Sequence, residues 1–348
     1  MKNDSFKMGI IGTGSIAPTH AEHFGQISGV KITAAVDKRE QRVKDFCDRY
    51  DIPQAFTDYR ELLKLDELDA VVICLPNHLH STVSIAAMKA GKHVLTEKPM
   101  AIDGREAEKM VQVQKETGQT LMVTLQSRYQ PEIQYARKFA QKNFGEIYYG
   151  RCGYLRRSGI PGWGSWFTQK DKAGGGPCAD IGVHVLDRCL FVMGYPEPET
   201  VTAATYDKFG SEGKGKGGWG FRDDSGFFDV EDLATAHIRF SSGATVVLEA
   251  SWALNRPNQE WINVMGTRGG FVQEGDTKIY MQDQDKIDLD LRAEGESGSM
   301  KMSRHFLECC RTGKEPDTSP QKGMILNKIF DAIYESGARN GEQVKVKI

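Results

Sequence analysis

The chain has 348 residues, a net charge of -2 and 26% charged residues. That is long enough for two domains, and it gives no electrostatic footprint for nucleic acid or an anionic membrane surface. No apolar run approaches the ~18 to 20 residues of a membrane span, and the opening M-K-N-D-S-F-K lacks the apolar core of a signal peptide.

A cytoplasmic protein with reduced thiols is expected, since the seven cysteines include no C-x-x-C and no zinc-like spacing. Residues 6–11 form a short apolar run that predicts a buried strand. It leads into Gly12-Thr13-Gly14-Ser15-Ile16-Ala17, a G-x-G-x-x-A pattern before a helix-like segment, 18–24. In that position Gly12 permits a tight turn, Gly14 lets the backbone approach a pyrophosphate, and Ala17 allows close packing of helix on strand. The phosphates would lie over Ser15 and Ile16 at the helix N-terminus, where free amides and the dipole favour negative charge.

Residues 30–36 predict a second strand ending at Asp37, where a carboxylate can accept hydrogen bonds from the adenosine ribose and disfavour a 2'-phosphate. NAD is therefore the preferred cofactor. Lys38, Arg39 and Arg42 follow directly and can partly neutralise Asp37, which leaves NADP open. Strand-like 70–75, helix-like 82–90 and strand-like 93–96 continue an alternation that argues for a parallel sheet covered by helices. Ligands of such sheets bind beyond the carboxyl ends of the strands. Two segments fall there: Leu75-Pro76-Asn77-His78-Leu79-His80, with Leu75, Asn77 and His80 as candidate cofactor contacts, and Glu97-Lys98-Pro99. Lys98 is either a solvated lysine or a cation facing the nicotinamide and the reacting oxygen. Residues 120–124 read as a last strand of this domain, and Gln126 to Tyr129 as the crossing near the cofactor. The expected division is 1–125 and 126–348.

In the second domain, 145–157 predicts a long strand ending in Arg156 and Arg157. The glycine- and aromatic-rich stretch 158–167 follows. Arg157, Trp163 and Trp166 are the candidate substrate contacts, because indole rings stack on sugar faces and arginine bonds hydroxyls. A loop merely pinned to the core by its tryptophans is the alternative. Next comes A-G-G-G-P-C-A-D-I-G-V-H-V-L-D, with a helix predicted from Pro177. Asp180 and His184 stand four residues apart and so share a helical face. A carboxylate beside an imidazole suits a general base, and a surface ion pair on a structural helix is the competing reading.

Residues 210–220 hold six glycines with Lys214 and Lys216. Gly217 stands where a phosphate loop needs Ser or Thr, so the segment reads as a flexible arm or lid. Residues 230–240, 245–253, 261–265 and 271–281 predict strands that are successive antiparallel neighbours. Helical spacing at 302–310 and 324–334 predicts two helices closing this domain, with His305 expected to be a structural histidine.

Taken together, G-x-G-x-x-A, P-N-H-x-H, E-K-P and G-G-G-x-x-x-D-x-G-x-H resemble, in their order and across nearly the whole chain, the glucose-fructose oxidoreductase, inositol dehydrogenase and rhizopine-catabolism family. The resemblance implies an α/β fold. An N-terminal Rossmann domain with a parallel sheet precedes a C-terminal α/β domain with a large open, mostly antiparallel sheet, which often makes subunit contacts and so implies a homo-oligomer. It implies a catalytic group of Lys98, Asp180 and His184, no metal, and a cis bond between Lys98 and Pro99. The implied reaction is hydride transfer between nicotinamide and a secondary hydroxyl of a sugar, glycoside or cyclitol. Residues 156–167 and the triple glycine resemble members that oxidise carbon 3 of glucosides; inositol or free-sugar dehydrogenation and NAD-binding sugar sensing are the alternatives.

Overall fold

The computed structural model describes residues 5–282, 286–292 and 294–348; the first four residues of the stretch read for a signal peptide lie outside them. The chain forms two compact units. The first comprises the residues up to Ala101, Arg105–Thr124 and Ser299–Met324; the second comprises Ile102–Gly104, Leu125–Gly298 and Ile325–Ile348.

The elements of the N-terminal part are β1 (Phe6–Ile11), α1 (Ala17–Gly25), β2 (Val30–Val36), α2 (Glu40–Tyr50), β3 (Gln54–Phe56), α3 (Tyr59–Leu63), β4 (Ala70–Ile73), α4 (His80–Lys89), β5 (His93–Thr96), α5 (Gly104–Thr117) and β6 (Leu121–Val123). Among the described residues they build a six-stranded parallel sheet in the order β3-β2-β1-β4-β5-β6. The order reverses between β1 and β4, and Met8 to Ile11 run beside Ala70 to Ile73, so both strands end together at the switch point of a doubly wound fold. The apolar runs of β4 and β5 follow from burial on both faces. Helix α1 buries Ala17, His20, Ala21 and Phe24, one stripe at three- and four-residue spacing.

The second unit contains α6 (Pro131–Asn143), β7 (Ile147–Leu155), α7 (Lys170–Ala173), α8 (Val183–Met193), β8 (Pro198–Tyr206), β9 (Leu233–Phe240), β10 (Thr245–Ser251), β11 (Gln259–Gly266), β12 (Gly269–Glu274), β13 (Asp276–Gln282) and β14 (Lys286–Asp290). After them come α9 (Gly298–Thr312), α10 (Pro320–Ala338) and β15 (Val344–Lys345). Among the described residues the strands form a nine-stranded, mostly antiparallel sheet ordered β14-β13-β12-β11-β7-β10-β9-β8-β15. Helix α8 lies on it closely because β7 is small there: a side chain on Gly150 would come within 2.9 Å of Met193 Sδ. Behind α8, fully buried Arg128 bonds the Asp187 carboxylate through Nε at 3.0 Å, and Asp187 also accepts the Tyr195 hydroxyl at 2.6 Å.

Three expectations are corrected. The strands β10 and β11 are not neighbours. Central β7 lies between them, antiparallel to β11 but parallel to β10, with Val246 beside Gly150. The single strand expected over 271–281 is a hairpin, β12 and β13, broken at Gly275 with φ +81°. Finally, one break after residue 125 does not divide the chain: residues 299–324, most of α9 included, group with the first unit, where the Phe306 ring meets Phe24 edge-on at 6.3 Å. All seven cysteines are free thiols.

Candidate active site

At the carboxyl end of β1, Gly12 has φ +93°, and a Cβ there would lie 2.4 Å from the Cys74 carbonyl at the end of β4. Only glycine fits that approach. Gly14 borders open space, Ser15 is exposed, Ile16 is half-buried, and α1 starts with no side chain capping its amides. The Leu75 side chain sits beside Gly12. A turn that must be glycine, an open second glycine and an uncapped helix start fit a pyrophosphate.

Asp37, directly after β2, receives the Thr13 amide and hydroxyl on Oδ2 at 3.1 Å each and the Arg39 amide on Oδ1 at 3.0 Å; Arg42 Nη1 lies 3.7 Å away. The glycine loop and the acidic residue are thus tied together, with Arg42 beside them.

The E-K-P segment is braced from two sides. Glu97 accepts His20 Nε2 at 2.7 Å on one oxygen and the Thr124 hydroxyl at 2.8 Å on the other, while the Lys98 amide donates to Thr124 Oγ1 at 3.1 Å. Burial pushes the Glu97 carboxyl up, but the bonds from His20 and Thr124 and the Lys98 charge outweigh it and hold it below its ordinary value. The Lys98–Pro99 bond is cis. His80, expected to face the cofactor crevice, is instead fully buried, with its two ring nitrogens 2.8 Å from the carbonyl oxygens of Pro99 and Leu75. Burial lowers its pKa against the pull of those carbonyls. Asn77 is buried as well. Gln126, grouped with these residues in the sequence reading, lies in the second unit.

In that unit the helix expected from Pro177 begins there, but Cys178–Gly182 is a π-helical turn before α8. Such turns occur often at functional sites. Every residue from Gly175 to Leu190 is buried except Asp180 and His184, which are half-buried. Asp180 Oδ2 accepts the indole N–H of fully buried Trp252 at 2.9 Å. The preceding glycines are required by crowding: a Cβ on Gly175 would lie 1.9 Å from the Tyr334 hydroxyl, and one on Gly176 2.1 Å from the Glu231 carbonyl. Neither Trp252 nor Glu231 was singled out in the sequence.

Of the substrate candidates, Trp163 donates its indole N–H to the Gly210 carbonyl at 2.8 Å, carries Lys216 over its ring, and packs on the buried cluster of Ile160, Ile181 and Trp252. Its ring is engaged in pinning the loop. Trp166 is half-buried and stacks on Phe167 at 3.7 Å, and Phe167 meets the exposed ring of Trp219 edge-on. Arg157 borders an open cavity of about 630 Å³ with Ser158, Phe209, Lys214, Asn255 and Asn258. The glycine-rich 210–220 segment expected as a free arm is bonded to the aromatic loop, through Gly159 and Ile160 amides to the Gly215 carbonyl and the Gly162 amide to that of Trp219. His305 is structural: its Nε2 accepts the Asp317 amide at 3.0 Å.

Residues 6–125 match the oxidoreductase family with an NAD-binding Rossmann fold, and residues 133–272 match the GFO/IDH/MocA C-terminal domain. The chain belongs to the GFO/IDH/MocA oxidoreductase family. Within this family it is 29% identical to D-glucoside 3-dehydrogenase of Escherichia coli (strain K12) over 99% of both chains. It is 32% identical to levoglucosan dehydrogenase of Pseudarthrobacter phenanthrenivorans over 64% of this chain and 60% of that one. Levoglucosan dehydrogenase in complex with NADH and L-sorbose has the same fold, with a TM-score of 0.87, 24% identity and coverage of 98% and 99%. The NAD-binding oxidoreductase class and the two-domain α/β fold expected from the sequence hold. No helix of the described residues is long and apolar enough to cross a membrane.

Proposed function

We propose that this enzyme is an NAD-dependent dehydrogenase that oxidises the carbon-3 hydroxyl of a glucoside to a 3-oxo-glucoside. The observation that carries the reading is the outward pair Asp180 and His184 in an otherwise buried stretch, with Asp180 held by Trp252. The full-length likeness to a D-glucoside 3-dehydrogenase supports the substrate class.

When bound, NAD supplies the hydride acceptor. Gly12, Gly14, Ser15 and Ile16 hold its pyrophosphate and Asp37 its adenosine ribose, disfavouring a 2'-phosphate. His184 takes the proton of the substrate hydroxyl as hydride leaves the same carbon. Asp180 orients the imidazole and supports its charged form. Lys98 stabilises the developing alkoxide, so the electrostatic help comes from a side chain. Trp166 and Arg157 contact the sugar or its aglycone.

The test follows NADH fluorescence with purified enzyme and a methyl glucoside, an aromatic glucoside, glucose or inositol, using NAD and then NADP. Glucosides are expected to turn over fastest, NAD to be preferred, and the product to carry a carbonyl at carbon 3. His184→Ala should lower kcat about 10²- to 10⁴-fold, and Lys98→Met on the order of 10²-fold or more with NAD affinity kept. Faster turnover of inositol would replace the glucoside reading, and an active His184→Ala enzyme would remove His184 as the base.

The free cysteines fit a reducing compartment, and we place the reaction in the cytoplasm, which cell fractionation checks. We also propose a homo-oligomer through the face of the nine-stranded sheet opposite α8, where Arg151, His237 and Glu249 are interleaved with Val247. A polar contact of this kind is weakened by salt. Sedimentation is expected to give an oligomer whose dissociation rises with ionic strength; a monomer at every concentration refutes it.

A further inference from the structure

Glu231 is buried at 8% exposure and shares no local sequence pattern with the catalytic candidates. Its Oε2 accepts the Gly176 amide at 2.9 Å; its Oε1 accepts the Cys178 amide at 3.1 Å and the Tyr334 hydroxyl at 3.1 Å. The two amides flank Pro177, which has none to give, so one carboxylate binds the chain on both sides of the residue that starts the turn. The Glu231 carbonyl stands against Gly176 closely enough to exclude any side chain there.

The next residue reaches the same turn by another route. The Asp232 carbonyl accepts the Trp252 amide at 3.0 Å and the Ser251 hydroxyl at 3.0 Å, and the Trp252 indole bonds Asp180. The Asp232 carboxylate gathers the amides of Lys208, Phe209 and Gly210, where the glycine-rich segment begins. Both ends of the geometry that sets Asp180, the entry at Gly176 and the indole partner, therefore rest on one dipeptide. Burial raises the Glu231 pKa while the two amides and Tyr334 oppose that rise; three donors converging on two oxygens match the ionised form.

We propose that Glu231 is a positioning residue for the acid–base pair, fixing through Gly176 and Cys178 the angle at which the Asp180 and His184 segment leaves the triple glycine. This rests on the reading of Asp180 and His184 as the catalytic pair. A small misplacement of a base costs rate and leaves substrate affinity largely alone, because only the transition state demands the alignment.

The experiment compares wild-type enzyme, Glu231→Gln, Asp331→Asn and His184→Ala with a methyl glucoside, with and without deuterium at carbon 3. Glutamine keeps the shape but turns an NH₂ group on one of the two amides. Asp331 is the control, a solvent-exposed carboxylate of the same unit that likewise accepts a glycine amide, that of Gly104, at 2.8 Å. Glu231→Gln is expected to lower kcat on the order of 10- to 100-fold with KM and NAD affinity changed less than about threefold and a larger deuterium isotope effect, as hydride transfer becomes limiting. Asp331→Asn is expected to leave kcat and the isotope effect unchanged. A Glu231→Gln enzyme with wild-type kcat, or one losing rate with no change in isotope effect, overturns the inference while leaving the catalytic pair standing. Wild-type turnover retained by His184→Ala removes the pair and the inference together.

Discussion

At the scale of single residues, the pair most open to a direct thermodynamic test is His20 and Glu97. Glu97 titrates below its ordinary value of 4.5 in the folded protein. A depressed acid binds its proton less readily when folded than unfolded, so its stabilisation is complete above 4.5 and is lost as the pH falls below it. Glu97→Gln should cost roughly 1.5 to 3 kcal/mol near neutral pH, the range for a hydrogen bond to a charged group. Denaturant titrations of the two proteins should converge as the pH drops through and below that value. A constant gap across the range would show that the carboxylate charge is not what braces Lys98. Nothing in the sequence points to His20, because its partner is 77 residues away. Asp180 and His184, by contrast, stood out as candidates because a four-residue interval carries its own geometry in an α-helix, though the turn that holds Asp180 is π-helical.

Among elements, β1, β2 and β5 were legible to the residue, β1 and β5 from short, largely apolar runs and β2 from its alternation, in which Lys31 is exposed while Val30 is buried. Helix α2 passed unread although Val43, Phe46 and Cys47 form its buried stripe, because charged residues surround that stripe in E-Q-R-V-K-D-F-C-D-R-Y. The strand order of the second unit was misjudged for a different reason. Hairpin signals report which strands can be joined by a turn, and β7 enters between β10 and β11 from about 100 residues earlier in the chain, joined to β10 in parallel. Parallel neighbours need a crossover and leave no turn signature. The same blindness hid Trp252 and Glu231, whose partners lie 72 and 53 to 55 residues away. The aromatic loop was ambiguous in the sequence, and the fold divides its rings: Trp163 is engaged in packing and bonded to Gly210, while Trp166 is half-buried and stacked on Phe167.

For the whole molecule, the first unit is not finished when its last sheet strand, β6, is made. Thr318 is fully buried and its carbonyl accepts the amide of Val123 in β6 at 3.2 Å; Phe306 and Phe24 are both fully buried. Phe306→Ala should therefore destabilise the N-terminal sheet unit by about 3 to 5 kcal/mol. Hydrogen exchange of the β1 and α1 amides is expected to report the loss; unchanged protection there would mean that residues 299–324 add little to that core. Local composition gave no hint of this return, because an amphipathic helix such as α9 carries the same pattern whichever unit receives it.

That return has a consequence for synthesis on the ribosome. The strands that carry the glycine loop, Asp37 and Lys98 leave the exit tunnel before strands β7 to β14 of the nine-stranded sheet do, yet the segment that seals their core leaves after them. The nascent NAD-binding half must wait, incompletely sealed, through translation of nearly the entire second unit. A gene fusion or domain exchange cut cleanly at residue 125 would inherit the same gap permanently, and a working exchange would have to carry the distant 299–324 segment along with the N-terminal piece.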